Sequence, residues 1–235
     1  MSTLIASHLG PTAYADGLRI QDRLVARRAA GEVEDCLLFP DHPPVLTVGR
    51  NPSEGNVRAD AATLAALGIE VFDVPRGGDV TWHGPGQLVG YAVCDLTRRG
   101  RDLHRFLRDM EEVLIRTAAR FGVEARRWPG RTGIWVQERK LGSIGVAVRR
   151  WTTFHGFALN VAPDLRYFQL IHPCGLQDIQ MTSLERLLGP RAPTLADARA
   201  AAATELARVL GHDEVRWVHP SIIEIGEATA AAVHG

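Results

Sequence analysis

A run of glycines interleaved with polar side chains extends from residue 76 to residue 91, with the sequence RGGDVTWHGPGQLVGY. Because glycine has no Cβ, Gly77 and Gly78 would let the backbone approach a ligand closely, and Arg76 and His83 offer polar groups beside them. A hairpin whose glycines serve only the turn explains the pattern equally well. The run matches neither the GxxxxGK phosphate loop nor the GxGxxG dinucleotide loop. It therefore predicts a ligand cradle or a tight hairpin.

Cys174 stands in a second segment of interest, IHPCGL, between a proline and a glycine. That position favours presentation of the thiol at a loop or at the end of an element. A thiol there becomes a nucleophile only if a neighbouring cation or a helix N-terminus lowers its pKa. The alternative is a small buried apolar residue, the role that we assign to Cys36 and Cys94 within their apolar runs.

Lys140 is the only lysine among 27 basic residues. A surface preference for arginine explains the bias, but an amine can share its proton where a guanidinium cannot. Lys140 and Cys174 could therefore form a cation–thiolate pair. His83 or His155 could instead be a general base for Cys174, although FHGFALN around His155 favours a structural histidine.

Apolar periodicity predicts the elements that must position these residues. Helices are predicted over residues 12–30, 61–67, 102–121 and 194–210, and strands over residues 36–39, 45–48, 69–74 and 88–96. From residue 123 to residue 161 the runs TGIWVQ, LGSIGVAV and FHGFALNV predict neighbouring antiparallel strands. We expect one α+β domain over residues 1–220 and a loosely held tail over residues 221–235.

The composition excludes several classes of protein. The 235 residues carry 27 basic and 27 acidic side chains and are 46% hydrophobic, which is typical of a soluble globular chain. Zero net charge argues against binding of nucleic acid along the whole surface. No apolar run approaches the ~20 residues of a membrane span, and the N-terminus lacks the features of a secretory signal. With three cysteines and no CxxC pair, we expect reduced thiols, a cytoplasmic location, and neither nucleic-acid nor membrane partners.

The segments RGGDVTWHGPGQ, KLGSIGV, FHGFALN and HPCG, in this order, resemble the lipoyl(octanoyl) transferases over about residues 35–180. The resemblance implies an α+β fold: a mixed, largely antiparallel sheet with flanking helices, like the catalytic core of biotin and lipoate protein ligases, and a smaller sheet at one side. It implies transfer of an octanoyl group from octanoyl-acyl carrier protein to a lysine of lipoyl domains, those of 2-oxoacid dehydrogenase complexes and of the glycine cleavage H protein. It implies no cofactor and no metal.

The resemblance also implies roles for single residues. Cys174 would be the nucleophile that carries the acyl group as a thioester, and Lys140 would activate it. The implied substrate site consists of Arg76, Gly77, Gly78, Asp79, Val80, Thr81, Trp82, His83, Ser143, Ile144, Gly145, Gly156, Phe157 and Ala158. Asp79 departs from the family pattern, which favours a neutral or basic residue there. Two arginine clusters, at residues 98–101 and 126–131, could steer acidic partners or form a solvated surface.

Three alternatives stay open. The first is an ATP-dependent lipoate or biotin ligase of the same fold, which needs no cysteine. The second is a module that binds an acyl chain without turnover. The third is a cysteine thioesterase, which would differ only in admitting water after acylation.

Overall fold

In the computed structural model, which describes residues 1–53, 55–172 and 179–225, nine strands form one mixed sheet and three form a smaller one. Cys174 lies outside the described residues. The large sheet contains β1 (Thr3–Pro11), β2 (Asp35–Asp41), β6 (Gln87–Val93), β7 (Arg126–Trp128), β8 (Arg131–Val136), β9 (Arg139–Arg149), β10 (Thr152–Asn160), β11 (Gln180–Met181) and β12 (Glu214–Trp217). The small sheet contains β3 (Val45–Val48), β4 (Glu70–Asp73) and β5 (Val80–His83).

The order of the large sheet is β12-β1-β2-β6-β10-β9-β8-β7, with β11 beside β9. Every pair from β2 to β7 along this order is antiparallel. The β12-β1-β2 end and the β11-β9 pair are parallel. The small sheet has the order β4-β3-β5. The predicted mixed, largely antiparallel sheet with a smaller sheet is confirmed.

Helices cover both faces of the large sheet. They are α1 (Tyr14–Ala29), α3 (Leu103–Ala119), α4 (Leu184–Leu188), α5 (Leu195–Leu210) and α6 (Pro220–Ile225), whereas α2 (Ala61–Ala66) packs through Leu64 into the core of the small sheet. Because successive side chains of a strand point to opposite faces, Leu37 of β2 packs in the core beneath α3 and α5, and Leu38 packs in the core beneath α1. The predicted helices α1, α2, α3 and α5 are all present.

Side-chain caps start the two long helices on the α3–α5 face. The Asp102 carboxylate accepts a hydrogen bond from the Arg105 N–H at 2.9 Å. Thr194 and Asp197 form a reciprocal capping box at the start of α5. Gly211, in the left-handed conformation, ends α5 as predicted. The caps are local, which explains why the sequence alone located these helices.

Several features of the fold differ from the expectations or were missed, including strands β5 and β11 and helix α4. Strands β1 and β12, at the ends of the chain, pair with each other and were not predicted. Strand β2 continues through Pro40, which the sequence suggested would end it. Helix α6 begins at Pro220 and buries Ile223 against α1 and β1, so packed structure enters the first residues of the predicted tail. The domain limits themselves stay a prediction.

Candidate active site

A cavity of about 590 Å³ lies between the small sheet and the large sheet. Its size falls within the ~300–1,000 Å³ common for small-molecule sites. Of the residues that the resemblance assigned to the substrate site, all but Trp82 line it, and Lys140 lines it as well. The other lining residues are Tyr14, Asn51, Ser53, Val89, Tyr91, Leu103, Leu107, Pro129, Gly130, Arg131, Thr132, Trp135, Val146 and His155. The fold thus gathers three of the four sequence segments around one space.

The first wall is the cradle, residues 76–79, which Arg76 fastens to β3. The buried Arg76 guanidinium donates from Nη2 to the Thr47 carbonyl at 2.6 Å and to Thr47 Oγ1 at 2.8 Å. Its Nη1 donates to the Gly77 carbonyl at 3.1 Å. These bonds hold the turn that precedes β5 against the small sheet.

Backbone hydrogen bonds join the cradle to both sheets. Gly49, just after β3, donates its N–H to the Asp79 carbonyl at 3.0 Å, and Gly77 donates to the Val146 carbonyl of β9 at 3.0 Å. The approach is close, since a Cβ on Gly145 would lie 2.9 Å from Arg76 Cδ and 3.1 Å from the Gly77 carbonyl oxygen. Gly145 of KLGSIGV therefore serves close contact between β9 and the cradle, which a hairpin turn alone would not require.

Asp79 turns its carboxylate toward protein donors. Oδ2 accepts hydrogen bonds from the Asn56 side-chain amide and from the Ser53 N–H, the latter at 3.3 Å, and Oδ1 accepts from the Val80 N–H at 2.6 Å. Asp79, the residue that departs from the family pattern, thus connects the loop after β3 to the cradle through these hydrogen bonds.

Lys140 lies on β9 with its side chain covered, only 2% exposed. Its Nζ is 5.5 Å from the centroid of the Trp135 ring on β8, within the range of a cation–π contact. On the other side of β9, Met181 of β11 pairs with Lys140, and the Thr182 N–H donates to the Lys140 carbonyl at 2.9 Å. The only lysine of the chain is therefore held from two neighbouring strands at the cavity wall.

Strands β9 and β10 form the floor of the cavity. Ser143, Ile144 and Gly145 pair with Ala158, Phe157 and Gly156 respectively. A Cβ on Gly156 would lie 2.2 Å from the Gly90 carbonyl oxygen of β6, so only glycine fits there. The two motifs KLGSIGV and FHGFALN thus meet in register.

Polar aromatic side chains line one part of the cavity. Tyr14 of α1 and Tyr91 of β6 both pack against His42, with ring centroids 5.2 and 5.7 Å from its ring, and the Tyr91 hydroxyl lies 2.6 Å from His42 Nε2. Because His42 Nδ1 is 2.7 Å from the Thr12 carbonyl and must donate to it, Nε2 accepts from Tyr91. Burial raises the pKa of Tyr14 to about 12 and lowers the pKa of His42. These groups are neutral at ordinary pH.

His83 and His155 are also neutral. Burial, aided by the positive charge of Arg76, lowers the pKa of each to about 3. His83 Nδ1 lies 2.7 Å from Gln87 Oε1, and Gln87 donates in turn to Asn160 Oδ1 at 3.0 Å. His155 has a positive φ of 57°, and no described residue hydrogen-bonds to its Nε2.

Trp82 does not line the cavity, contrary to its implied place in the substrate site. Its ring stacks on Tyr167 at a centroid distance of 5.0 Å and meets Phe168 edge-on at 5.5 Å. Successive side chains of β5 point to opposite faces of the small sheet. Thr81 and His83 therefore face the cavity, and Trp82 points into the core on the other face. Trp82 fastens the turn at Leu165–Leu170 to that sheet.

Cys174 is the implied nucleophile, and it lies outside the described residues together with the rest of the segment 173–178. The described residues on both sides of that segment are attached beside the cavity. His172 donates its N–H to the Asn56 carbonyl at 2.7 Å, and Gln180 pairs with Arg139, next to Lys140. Cys36 and Cys94 are buried, and burial raises the pKa of both thiols, that of Cys36 to about 12, which confirms their role as small core residues.

The arginine clusters contain several internally paired members. Arg99 donates to the Leu210 carbonyl at 2.6 Å, and Arg127 pairs with Glu112 at 2.8 Å. Arg131 is different, because it lines the cavity and lies over the rings of Trp128 and Trp135, at 5.0 and 5.8 Å from their centroids. Both clusters contain arginines engaged within the fold, so neither is purely a solvated surface.

Sequence reasoning missed the cavity residues that come from α1, β6, α3 and the 129–132 turn. Tyr14, Leu103 and Leu107 follow ordinary helical spacing, and nothing in their neighbourhood marks a site. Tyr91 was included at the end of the glycine-rich run but given no role. In the part of the chain that the structure describes, no helix is long and apolar enough to cross a membrane.

Known proteins resemble this chain in sequence and in fold. A sequence model of the Lipoyl protein ligase A/B catalytic domain matches residues 13–207. The Octanoyltransferase of Geobacter sulfurreducens is 53% identical over 194 residues, which are 83% of this chain and 79% of that protein. The Octanoyltransferase of Acidobacterium capsulatum is 48% identical over 225 residues, covering 90% of this chain and 91% of that protein. The crystal structure of lipoate-protein ligase A bound with ATP has a TM-score of 0.74 at 16% identity, covering 96% of this chain and 95% of that one, and this likeness concerns the fold alone.

Proposed function

Because the chain belongs to the lipoyl protein ligase A/B catalytic-domain family and is an acyltransferase that transfers octanoyl groups in protein lipoylation, we propose that it does so through a thioester on Cys174. The donor in this proposal is octanoyl-acyl carrier protein. The acceptors of the family's reaction are lipoyl domains, and we propose those of 2-oxoacid dehydrogenase complexes and of the glycine cleavage H protein. The cytoplasm, whose reducing conditions keep thiols free, is the proposed location.

One observation carries the proposal: Lys140, a buried amine, stands at the wall of a cavity beside which both flanks of the Cys174 segment are attached. His172 is bonded to Asn56, the partner of Asp79, and Met181 is paired with Lys140 itself. Such an arrangement brings a cation to the place where a thiol on that segment would work. A cation beside a thiol favours the thiolate, which is the nucleophilic form.

In the first half-reaction the Cys174 thiolate attacks the carbonyl carbon of the donor thioester. A new S–C bond forms on Cys174 as the S–C bond to the carrier breaks, and the carrier leaves as a thiol after taking a proton from the Lys140 ammonium, which becomes a neutral amine. One thioester replaces another, so the step is nearly balanced in energy. Backbone N–H groups close to Gly145 or Gly175 are candidates to stabilise the oxyanion of the tetrahedral intermediate.

In the second half-reaction the ε-amine of the lipoyl-domain lysine attacks the carbonyl carbon of the thioester on Cys174. An N–C bond forms, the S–C bond breaks, and Cys174 leaves as a thiolate. The proton lost by the attacking amine passes to Lys140 or to that thiolate. An amide replaces a thioester, so this step runs downhill.

The cavity walls suit an acyl chain. Val89, Ile144, Val146 and Phe157 present apolar surface, and the β9–β10 floor continues from the Lys140 end toward His155. The cradle glycines bring the backbone close to the bound group. In this proposal the chain lies along the floor with its carbonyl carbon near Lys140.

Neither histidine suits the activation of the Cys174 thiol. A general base works best when its pKa is near the operating pH. With a pKa lowered to about 3 by burial, His83 and His155 hold too little affinity for a proton to activate a thiol near neutral pH. We therefore place the histidines in the wall of the acyl cavity and leave the proton transfers to Lys140 and Cys174.

The test is an intact mass spectrum of the full chain after incubation with octanoyl-acyl carrier protein, without ATP and without acceptor. The native chain, Cys174→Ala and, as a matched control, Cys36→Ala are compared. We expect one octanoyl adduct on the native chain and on Cys36→Ala, discharged by a lipoyl domain, and none on Cys174→Ala. An adduct on Cys174→Ala, or acyl transfer that needs ATP and free octanoate, would overturn the proposal.

A further inference from the structure

Glu111 of α3 is a fully buried carboxylate that takes no part in the steps above. Its Oε2 accepts hydrogen bonds from Arg108 Nη1 at 2.7 Å and from Arg127 Nε at 3.1 Å. Its Oε1 points the other way and accepts from the backbone N–H of Gly133 at 3.1 Å. Burying a carboxylate costs free energy even when it is paired. The contact with Gly133 therefore points to a role beyond the two ion pairs.

Gly133 is the link between that carboxylate and Lys140. Its φ is +118°, a conformation that other residues rarely adopt. A Cβ on Gly133 would lie 2.9 Å from Lys140 Cε and 3.5 Å from Lys140 Nζ. The Gly133 backbone therefore lies directly against the end of the lysine side chain.

Strand β8 is incompletely paired with β9 around Gly133. The β8–β9 pairing shifts register between Ile134 and Trp135, and such an irregularity leaves part of the ladder unpaired. Trp135, whose ring faces Lys140 Nζ, stands two residues after Gly133 on the same strand. The hydrogen bond that the Gly133 N–H donates to Glu111, outside the sheet, thus fixes the two surfaces that confine the Lys140 amine. These surfaces are the Gly133 backbone and the Trp135 ring.

We propose that Glu111 is a positioning residue, which holds the Gly133 N–H and so sets where the Lys140 amine stands in the cavity. Arg108 and Arg127 orient the carboxylate from the surface side by donating to its other oxygen, Oε2. The inference rests on the proposed function, in which Lys140 acts beside Cys174. A displacement of the amine by a fraction of an ångström would then slow formation of the acyl-enzyme, because reacting groups must be aligned.

A purely structural role for Glu111, as an anchor between α3 and β7–β8, makes a different prediction. The chain offers a matched control in Glu205 of α5, which is also buried and accepts from Arg120 Nε at 2.6 Å and from Arg208 Nη1 at 3.1 Å. Glu205 lines no part of the cavity. Removing either carboxylate takes one hydrogen-bond acceptor from each of two arginines, so both changes should destabilise the fold.

The experiment measures single-turnover acylation by octanoyl-acyl carrier protein, and the free energy of unfolding in urea, for full-length Glu111→Ala, Glu111→Gln, Glu111→Asp and Glu205→Ala. We expect both alanine variants to lose stability, but only Glu111→Ala to lower the maximal acylation rate, by about 10- to 100-fold, with the donor concentration at half-maximal rate nearly unchanged. Glu111→Gln keeps an oxygen that accepts from Gly133 and should restore most of the rate. Glu111→Asp keeps the charge but is too short to reach, and should be slow.

The opposite pattern would overturn the inference. A normal rate in Glu111→Asp with a slow Glu111→Gln would make charge, and not position, the contribution of Glu111. Equal slowing in Glu111→Ala and Glu205→Ala would leave only a general loss of stability. If Glu111→Ala does not fold, the aspartate and glutamine variants still decide between these results. If the native chain forms no acyl-enzyme at all, the proposed function fails first, and this inference fails with it.

Discussion

Met181 stands opposite Lys140 in the short parallel pair between β11 and β9. The next residue, Thr182, donates its N–H to the Lys140 carbonyl at 2.9 Å. The chain that follows the Cys174 segment is thus fastened to the backbone of the only lysine. The order of the strands thus places residues 180–182 beside the KLGSIGV motif, about 40 positions earlier in the chain.

Lys140→Arg should lower the rate of acyl-enzyme formation by about 100-fold or more, although the charge is kept. A guanidinium does not give up its proton, and its larger planar head does not fit the covered space between the Trp135 ring and Gly133. The rate is measured by intact mass over time. Arg139→Lys, a conservative change at the neighbouring position, is the control and should react normally. Near-native turnover in Lys140→Arg would leave Lys140 an electrostatic role only.

Gly145→Ala should destabilise the fold around the cradle, whereas Gly77→Ala should cost little stability. The new Cβ at Gly145 would lie 2.9 Å from Arg76 Cδ and 3.1 Å from the Gly77 carbonyl oxygen, while at Gly77 the nearest atom is the Val146 carbonyl oxygen at 3.5 Å. We expect a loss of about 1–3 kcal/mol of stability from overpacking in Gly145→Ala and weaker binding of the acyl donor. Urea unfolding and the donor concentration dependence of acylation report the two effects. An equal loss of stability in Gly145→Ala and Gly77→Ala would contradict this account of the cradle.

Asp79→Asn should loosen the loop after β3. The asparagine amide would place a donor against the Asn56 amide and the Ser53 N–H, both of which donate to Asp79 in the structure. An unsatisfied buried polar group costs about 1–3 kcal/mol, so the variant should be less stable. Hydrogen exchange of the amides at residues 50–53 and 55–57 should become faster. Asp73→Asn, exposed on β4, is the control and should leave the exchange rates unchanged.

Stability should fall as the pH is lowered from about 6.5 toward 3. Burial lowers the pKa of His83 and His155 from 6.5 to about 3, so between these values the unfolded chain binds protons that the folded chain does not. Each histidine contributes a slope of up to about 1.4 kcal/mol per pH unit in this window. Asparagine tolerates the positive φ at position 155. His155→Asn should therefore reduce the pH slope of the free energy of unfolding by that amount, measured by urea titrations at pH 6 and pH 5. His104 is exposed on α3, so the control His104→Asn should leave the slope unchanged. If the slope is also unchanged in His155→Asn, His155 accepts a proton in the folded state, contrary to this prediction.

The sequence by itself determined the helices α1, α2, α3 and α5 and most strands, because caps such as Asp102 and the Thr194–Asp197 box, and the apolar spacing of the helices, act over a few residues. It also determined the family and the residues of three motifs that the fold gathers at one cavity. Local patterns cannot report which strands become neighbours, so the pairing of β1 with β12 was missed.

Tertiary structure alone decided which side chains face the cavity. Trp82 belongs to a motif yet points into the core of the small sheet, while Tyr14 belongs to no motif and lines the site. The buried Glu111 reaches Gly133 only because α3 packs across β8 and β9. These relations depend on side-chain direction and on strand order over distances of many residues, and neither is encoded in any single stretch of sequence.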